Sequence, residues 1–260
     1  MKKILVPISF SSTSKNSMKK AYSMARKFEA TLSLLHCYPF QEYNREYQFE
    51  GEDYDKGIRR MLIDFYNECI ENDGTHKYNL LTFSGSVSDV IAKISSQYDL
   101  LILSRKIGYE GVKNNYFSDK IFYISTKALS PLLILPVSEK EHQFKLAKNA
   151  WHIQRHEMEK ETIDSQIKQF GIDPSIILTK SLTQKNFASR FWENIVKFTK
   201  IHDDDLLKVI SKSFDEEQID LLILVNRKKG LFSIFLKDEA FQIISQFDIP
   251  ILILQNTSSR

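Results

Sequence analysis

An internal repeat constrains the fold most. Asp99-Leu100-Leu101-Ile102-Leu103 opens one stretch, and Leu129-Ser130-Pro131-Leu132-Leu133-Ile134-Leu135 closes it. Asp220-Leu221-Leu222-Ile223-Leu224 opens a second stretch, and Asp248-Ile249-Pro250-Ile251-Leu252-Ile253-Leu254 closes that one. Each copy reads as apolar strand, loop, amphipathic helix, proline, apolar strand. Short apolar runs without alternation suit parallel strands covered on both faces. After the first strand each copy carries a basic pair and a glycine: Arg105-Lys106 with Gly108, and Arg227-Lys228 with Gly230. Each also sets an aspartate at the same distance before its proline, Asp119 before Pro131 and Asp238 before Pro250. Several matches in one order argue for two copies of a single structural plan.

The first half shows that plan in full. Lys3 to Ile8 predicts a strand, and Ser9 to Ser14 a polar turn rich in helix-capping residues. Met18, Ala21, Tyr22, Ala25 and Phe28 fall at helical spacing. Thr31 to Tyr38 is a second strand, followed by an aromatic loop with Tyr43, Tyr47, Phe49 and Tyr54. Such a loop packs on its own domain or covers a ligand. Ile58, Met61, Leu62, Phe65, Cys69 and Ile70 mark a helix that Asp73-Gly74 stops. Lys77 to Phe83 is a third strand, and Gly85-Ser86 turns into a helix striped by Val87, Val90, Ile91, Ile94 and Tyr98. Strands alternating with helices predict right-handed parallel βαβ units.

The second half repeats the plan less cleanly. Phe144 to Ile153 is a poor strand, interrupted by Lys148 and Asn149. Ile163, Ile167 and Phe170 stripe a helix that Gly171 ends, and Ser175 to Leu182 is a strand. Glu193 to Ile201 is a weaker one, and Leu206, Val209, Ile210 and Phe214 stripe a helix headed by Asp203 to Asp205. The short link between the second and third strands here implies a lost or shortened helix. The expected organisation is two tandem α/β domains, residues 1–138 and 139–260, with polar residues 137–143 as the linker.

Composition excludes several classes. A charged share of 27% and a net charge of +3 give no concentrated basic surface for nucleic acid. No apolar run approaches the ~20 residues of a membrane span. The N-terminal apolar run is too short for a signal peptide and is cut by Pro7. The expectation is a cytoplasmic protein whose two cysteines, Cys37 and Cys69, are buried thiols. His152 and His156, with Glu157, have the i, i+4 spacing of helical metal pairs but lack a third ligand nearby, so the start of a surface helix is expected there. His202 with Asp203 to Asp205 reads as a helix N-terminus rather than a cation site. Phosphate-loop and nucleophile-elbow motifs are absent. The basic residues Arg105, Lys106, Lys113, Arg227, Lys228 and Lys229 are expected to be solvated loop charges or, in the alternative, anion contacts.

Ile4-Leu5-Val6-Pro7-Ile8-Ser9-Phe10-Ser11 resembles the opening of universal stress proteins, I-L-V-P-x-D-F-S. Leu35-His36-Cys37-Tyr38 resembles the end of their second strand, and Gly85 and Asp99 to Leu103 also fit. The resemblance covers the first half and the last third of the second, and tandem pairs occur in that family. It implies doubly wound parallel sheets of the adenine nucleotide alpha hydrolase type, strand order 3-2-1-4-5. A nucleotide crevice would lie at the strand C-termini. Many members bind ATP there and others do not, so the resemblance implies ATP or another adenine nucleotide as a possible cofactor, held by G-x-x-G-x9-G-[ST], whose glycines let backbone N–H groups approach phosphate. Carried onto this chain, the cofactor-facing positions are Pro7, Ser9, Cys37, Leu103, Ser104, Lys106, Gly108, Ser118 and Asp119.

The chain departs from the family at most of them. Ser9 replaces the aspartate that contacts the nucleoside, and Ser104 replaces the first motif glycine. Gly108 matches the second only with one inserted residue, and Ser118-Asp119 replaces Gly-Ser. Asn226 and Lys237-Asp238 stand at the corresponding places of the second half. The expected function is a cytoplasmic stress-response protein with weak or absent ATP binding and no enzymatic activity. A nucleotide-independent scaffold for a protein partner is the alternative, and an enzyme acting on a nucleotide ranks below both. Asp119 is expected in the first turn of a helix, with Ser118 as its cap. The apolar final strands of the two halves are expected to pair within the chain, and a homodimer is a further option.

Overall fold

A computed structural model describes residues 1–38, 54–70, 76–105, 116–136, 150–154, 164, 166–172, 177–181, 220–226 and 249–255. The chain divides into two compact units, Met1–Phe144 and Lys145–Arg260.

The first unit alternates strand and helix: β1 Lys3–Pro7, α1 Ser12–Lys27, β2 Thr31–Tyr38, α2 Tyr54–Cys69, β3 Tyr78–Ser84, α3 Val87–Ile94, β4 Leu100–Ser104, α4 Tyr116–Lys127 and β5 Leu132–Leu135. All four strand pairings are parallel, and the order is 3-2-1-4-5. The register sets Lys3 against Thr31, Ile4 against Leu100, Leu32 against Tyr78 and Leu101 against Leu132. Ile4, Leu5, Val6, Leu100, Ile102 and Leu103 are fully buried, so neither face of the central strands meets water. This is the physical meaning of an apolar run that does not alternate. β3 ends the order, and its side chains are half-buried or exposed.

Local chemistry sets the helix ends. Ser11, in extended conformation, caps α1 by accepting a hydrogen bond from the Ser14 N–H. At the other end Glu29 takes a left-handed φ of 51°. Ala30 N–H donates to the Ala25 carbonyl at 2.8 Å and Glu29 N–H to that of Arg26 at 3.3 Å. This is a Schellman closure with glutamate where glycine is usual. Gly85, at φ 114°, donates its N–H to the Tyr38 carbonyl at 2.8 Å, a backbone state that side chains disfavour. α3 stops at Ile94 and a 3₁₀ turn, Ser95–Gln97, leads into β4. The Asp99 carboxylate accepts from the N–H groups of Lys2 at 2.6 Å and Lys3 at 2.9 Å, fixing the start of β1 beside β4.

The second unit contains β6 Ala150–Gln154, β7 Ile177–Ser181, β8 Leu221–Asn226 and β9 Ile251–Gln255. β6 pairs in parallel with β7 and β8, and β8 with β9, giving the order β7-β6-β8-β9. Among the described residues this matches the 2-1-4-5 part of the first unit's order. The expected strand at 193–201 and helix at 203–214 lie outside the described residues. Residues 164 and 166–168 are helical, and Gly171 follows with φ 66°.

Two expectations are corrected here. His152 lies in strand β6, as the strand reading of 144–153 has it and not at a helix start, because residues 150–154 hydrogen-bond between β7 and β8. The i, i+4 relation to His156 therefore has no helix to act on at His152. Ser118 is the third residue of α4, which begins at Tyr116, and so is not its cap. Asp119 falls in the first turn, as expected.

Candidate functional site

In a sheet of order 3-2-1-4-5 the chain leaves β1 and β4 in opposite directions. Their C-terminal ends therefore bound a crevice. Pro7 closes β1, half-buried, and the ladder extends one step as Ile8 N–H donates to the Leu35 carbonyl at 2.7 Å. The chain then turns through Ser9, Phe10 and Ser11 into α1.

Hydroxyl groups hold that turn. Ser9 Oγ lies 3.0 Å from Ser11 Oγ and 2.8 Å from Ser14 Oγ. The Ser9 N–H donates to Ser14 Oγ at 3.0 Å, and Ser11 Oγ lies 3.0 Å from Thr13 Oγ1. The first turn of α1 carries no acidic residue, so no carboxylate on its own helix offsets the partial positive end. Phe10 adopts φ 57°, a left-handed state costly for a bulky side chain. Its ring sits 4.7 Å from His36 and edge-on to Phe65 at 5.6 Å.

His36 supports the turn from β2. It is 2% exposed, and its Nδ1–H donates to the Ile8 carbonyl at 2.9 Å. That bond fixes the tautomer, because a carbonyl can only accept. Nε2 is then an acceptor, and it finds no hydrogen-bond partner among the described residues. Burial pushes the imidazole pKa down, and the Ile8 bond opposes this only in part. The ring is therefore neutral near pH 7. Cys37, the next residue, is half-buried, and burial raises its thiol pKa to about 12. Cys69 is raised to about 11, largely by burial. Neither is a thiolate at neutral pH, which removes them as nucleophiles.

On the other side of the crevice Leu103 is fully buried, and Ser104 is 7% exposed. The Arg105 N–H donates to the Leu135 carbonyl at 3.0 Å, and its side chain is 6% exposed. Arg105 is thus no solvated loop charge, contrary to the expectation for the basic run. Pairing with Leu135 draws it into the sheet. Lys106, Gly108, Lys113, Arg227, Lys228 and Lys229 lie outside the described residues. Ser118 and Asp119 are placed by their backbone at the start of α4.

The structure therefore assembles Pro7, Ser9, Cys37, Leu103 and Ser104 around the ends of three neighbouring strands, β2, β1 and β4. Phe10, His36 and Arg105 complete that edge. The sequence marked His36 only as part of the Leu35-His36-Cys37-Tyr38 resemblance, and its service to the β1–α1 turn depends on a contact 28 residues away. Tyr54 opens α2 and packs edge-on against Tyr38 at 5.0 Å. The rest of the aromatic loop is outside the described residues. Among the described residues no group of three His, Cys, Asp or Glu side chains could hold a metal ion. No helix there is long and apolar enough to cross a membrane.

Comparison with known proteins agrees with this geometry. The model of the universal stress protein family matches residues 1–107. The crystal structure of a universal stress protein from Archaeoglobus fulgidus DSM 4304 is similar, with a TM-score of 0.62 and 12% identity. The match covers 97% of this chain and 96% of that one. A functionally unknown protein from Pseudomonas aeruginosa PAO1 is similar with a TM-score of 0.54 and 12% identity, over 98% of this chain and 92% of that one. At such identities the likeness speaks for fold. No curated protein sequence matches the chain.

Proposed function

We propose that the chain, whose residues 1–107 match the model of the universal stress protein family, is a cytoplasmic stress-response protein that binds rather than turns over its ligand. In this reading the first-unit crevice takes ATP weakly or not at all. The observation that carries it is the Ser9 hydroxyl. It stands where the family resemblance places a carboxylate for the nucleoside, and it is engaged with Ser11 and Ser14 inside the turn. Ser104 adds a side chain where the family motif has a glycine for close backbone approach. Asp119, in the first turn of α4, falls where the motif has a hydroxyl. A carboxylate about 4 Å from a phosphate charge costs on the order of 4 kcal/mol at an effective dielectric near 20. These residues fit an adenine nucleotide poorly at both of its ends.

The second unit serves as a structural partner of the first in this proposal. β5 and β9 each end their own unit's described strand order and are apolar. Apolar edges invite pairing unless covered. A protease site inserted within residues 137–143 and cut in the folded chain tests this. Halves that stay together on gel filtration support pairing, and halves that separate refute it.

Thermal-shift measurement with ATP, ADP and AMP tests the ligand reading. A ligand at 100 times its Kd stabilises the native state by ~2.7 kcal/mol. Millimolar ATP should therefore leave the first-unit transition almost unmoved. A rise of several degrees would overturn the proposal, and measurable ATP hydrolysis that depends on crevice residues would overturn the non-enzymatic part.

A further inference from the structure

We propose that His36 is the positioning residue of the β1–α1 turn and that its protonation releases the turn, opening the mouth of the crevice in acid. The inference concerns the turn itself and holds whatever the crevice binds. His36 secures the turn in two ways: Nδ1–H holds the Ile8 carbonyl at 2.9 Å, and the ring face supports Phe10 at 4.7 Å. Phe10 needs that support, because its left-handed φ of 57° is unfavourable for a phenylalanine outside a packed site. Phe65 of α2 supplies the other wall.

Protonation keeps the Nδ1–H bond but converts Nε2 from acceptor to donor and puts a charge on the ring. Nε2 is buried and meets no partner among the described residues. A buried, unpaired charge must reach water or be neutralised. Among the described residues the charged groups of the surrounding elements give it no counter-ion. Lys15 on α1 pairs with Glu68 on α2, and Asp55 pairs with Arg59 at 2.7 Å and with Thr82, the residue opposite His36 on β3. Asp64 is exposed on α2. Cys37, its neighbour on β2, stays protonated. Burial and the Ile8 bond are the influences on its titration, and burial is the larger. The ring is solvated most cheaply by swinging out. Phe10 then loses its platform, its backbone relaxes, and Ser9 is no longer held in place.

The test is hydrogen exchange of the full chain at pH 7.5 and pH 5.0, each corrected for the intrinsic exchange rate. Amides 8–14 should lose protection at least ~10-fold relative to the β1 and β4 core on acidification. His36→Asn should remove that acid response, because the amide N–H can serve Ile8 without titrating. Equal protection of the turn at both pH values would overturn the proposal, as would the same acid response in His36→Asn. Should that variant not fold, ring ¹⁵N shifts of wild-type His36 decide the matter. They should report the Nδ1–H tautomer at pH 7.5 and titrate with the midpoint of turn exchange. An Nε2–H tautomer, or a midpoint unrelated to turn exchange, refutes it.

Discussion

The serine network at the head of α1 makes a quantitative prediction. Ser11→Ala removes the cap that accepts the Ser14 N–H. Losing such a cap costs about 1 kcal/mol, within 0.5–2. Ser14→Ala removes the acceptor for the Ser9 N–H, at 3.0 Å in a part-buried turn, and should also cost about 1 kcal/mol. The two losses are not independent. Both hydroxyls bond the Ser9 hydroxyl, at 3.0 and 2.8 Å, and they lie 3.4 Å from each other. The double variant should therefore cost less than the sum of the singles, by roughly 0.5 kcal/mol or more. The assay must report the first unit, and both tryptophans, Trp151 and Trp192, lie beyond it. Native-state hydrogen exchange of the β1 and β2 core amides reads that unit's own stability. Strict additivity would show that the hydroxyls act separately, and single losses below ~0.3 kcal/mol would show that water replaces the network at no cost.

Other outcomes follow from the same structure. Glu29→Gly, at the left-handed closing residue of α1, should stabilise the unit slightly, by up to ~1 kcal/mol in denaturant unfolding, although glycine is usually harmful near helices. Ile102→Ala, in fully buried β4, should cost about 2–5 kcal/mol in the same experiment. Asp55 is hydrogen-bonded by Thr82 and Arg59, which hold its pKa below the usual 3.8. A depressed carboxylate pKa stabilises above the unfolded value and loses that contribution as pH falls through the folded one. Asp55→Asn should thus be less stable than wild type at pH 7, with the gap closing below about pH 4 in parallel melts.

Most of the first unit could be read from its residues because local and long-range signals agree there. Thr31 to Tyr38 is a largely apolar strand with Leu32, Leu34 and Leu35 buried, and it forms with those bounds. The stripe Met18, Ala21, Tyr22 and Ala25 is buried as its spacing requires. Strand order came instead from the family resemblance, since periodicity does not say which strands are neighbours. The sequence misled where a polar residue is committed to a long-range bond. The sequence put His152 both in a poor strand, 144–153, and in a helical pair with His156, and the ladder that claims residues 150–154 decides for the strand. Arg105 looked like loop charge because its pairing with Leu135 joins residues 30 apart in sequence. At the crevice the family pattern marked Ser9 and Ser104. The parts played by Phe10 and His36 rest on a left-handed turn and a ring contact that no spacing rule encodes.

The central claim is that the residues now at the crevice disfavour ATP. Calorimetric titration of ATP into the wild-type chain and into a Ser9→Asp, Asp119→Ser double variant tests it most directly. The account predicts no saturable heat for the wild type at micromolar protein and a measurable gain in affinity for the double variant. Micromolar binding by the wild type, or a double variant that gains nothing, would contradict it.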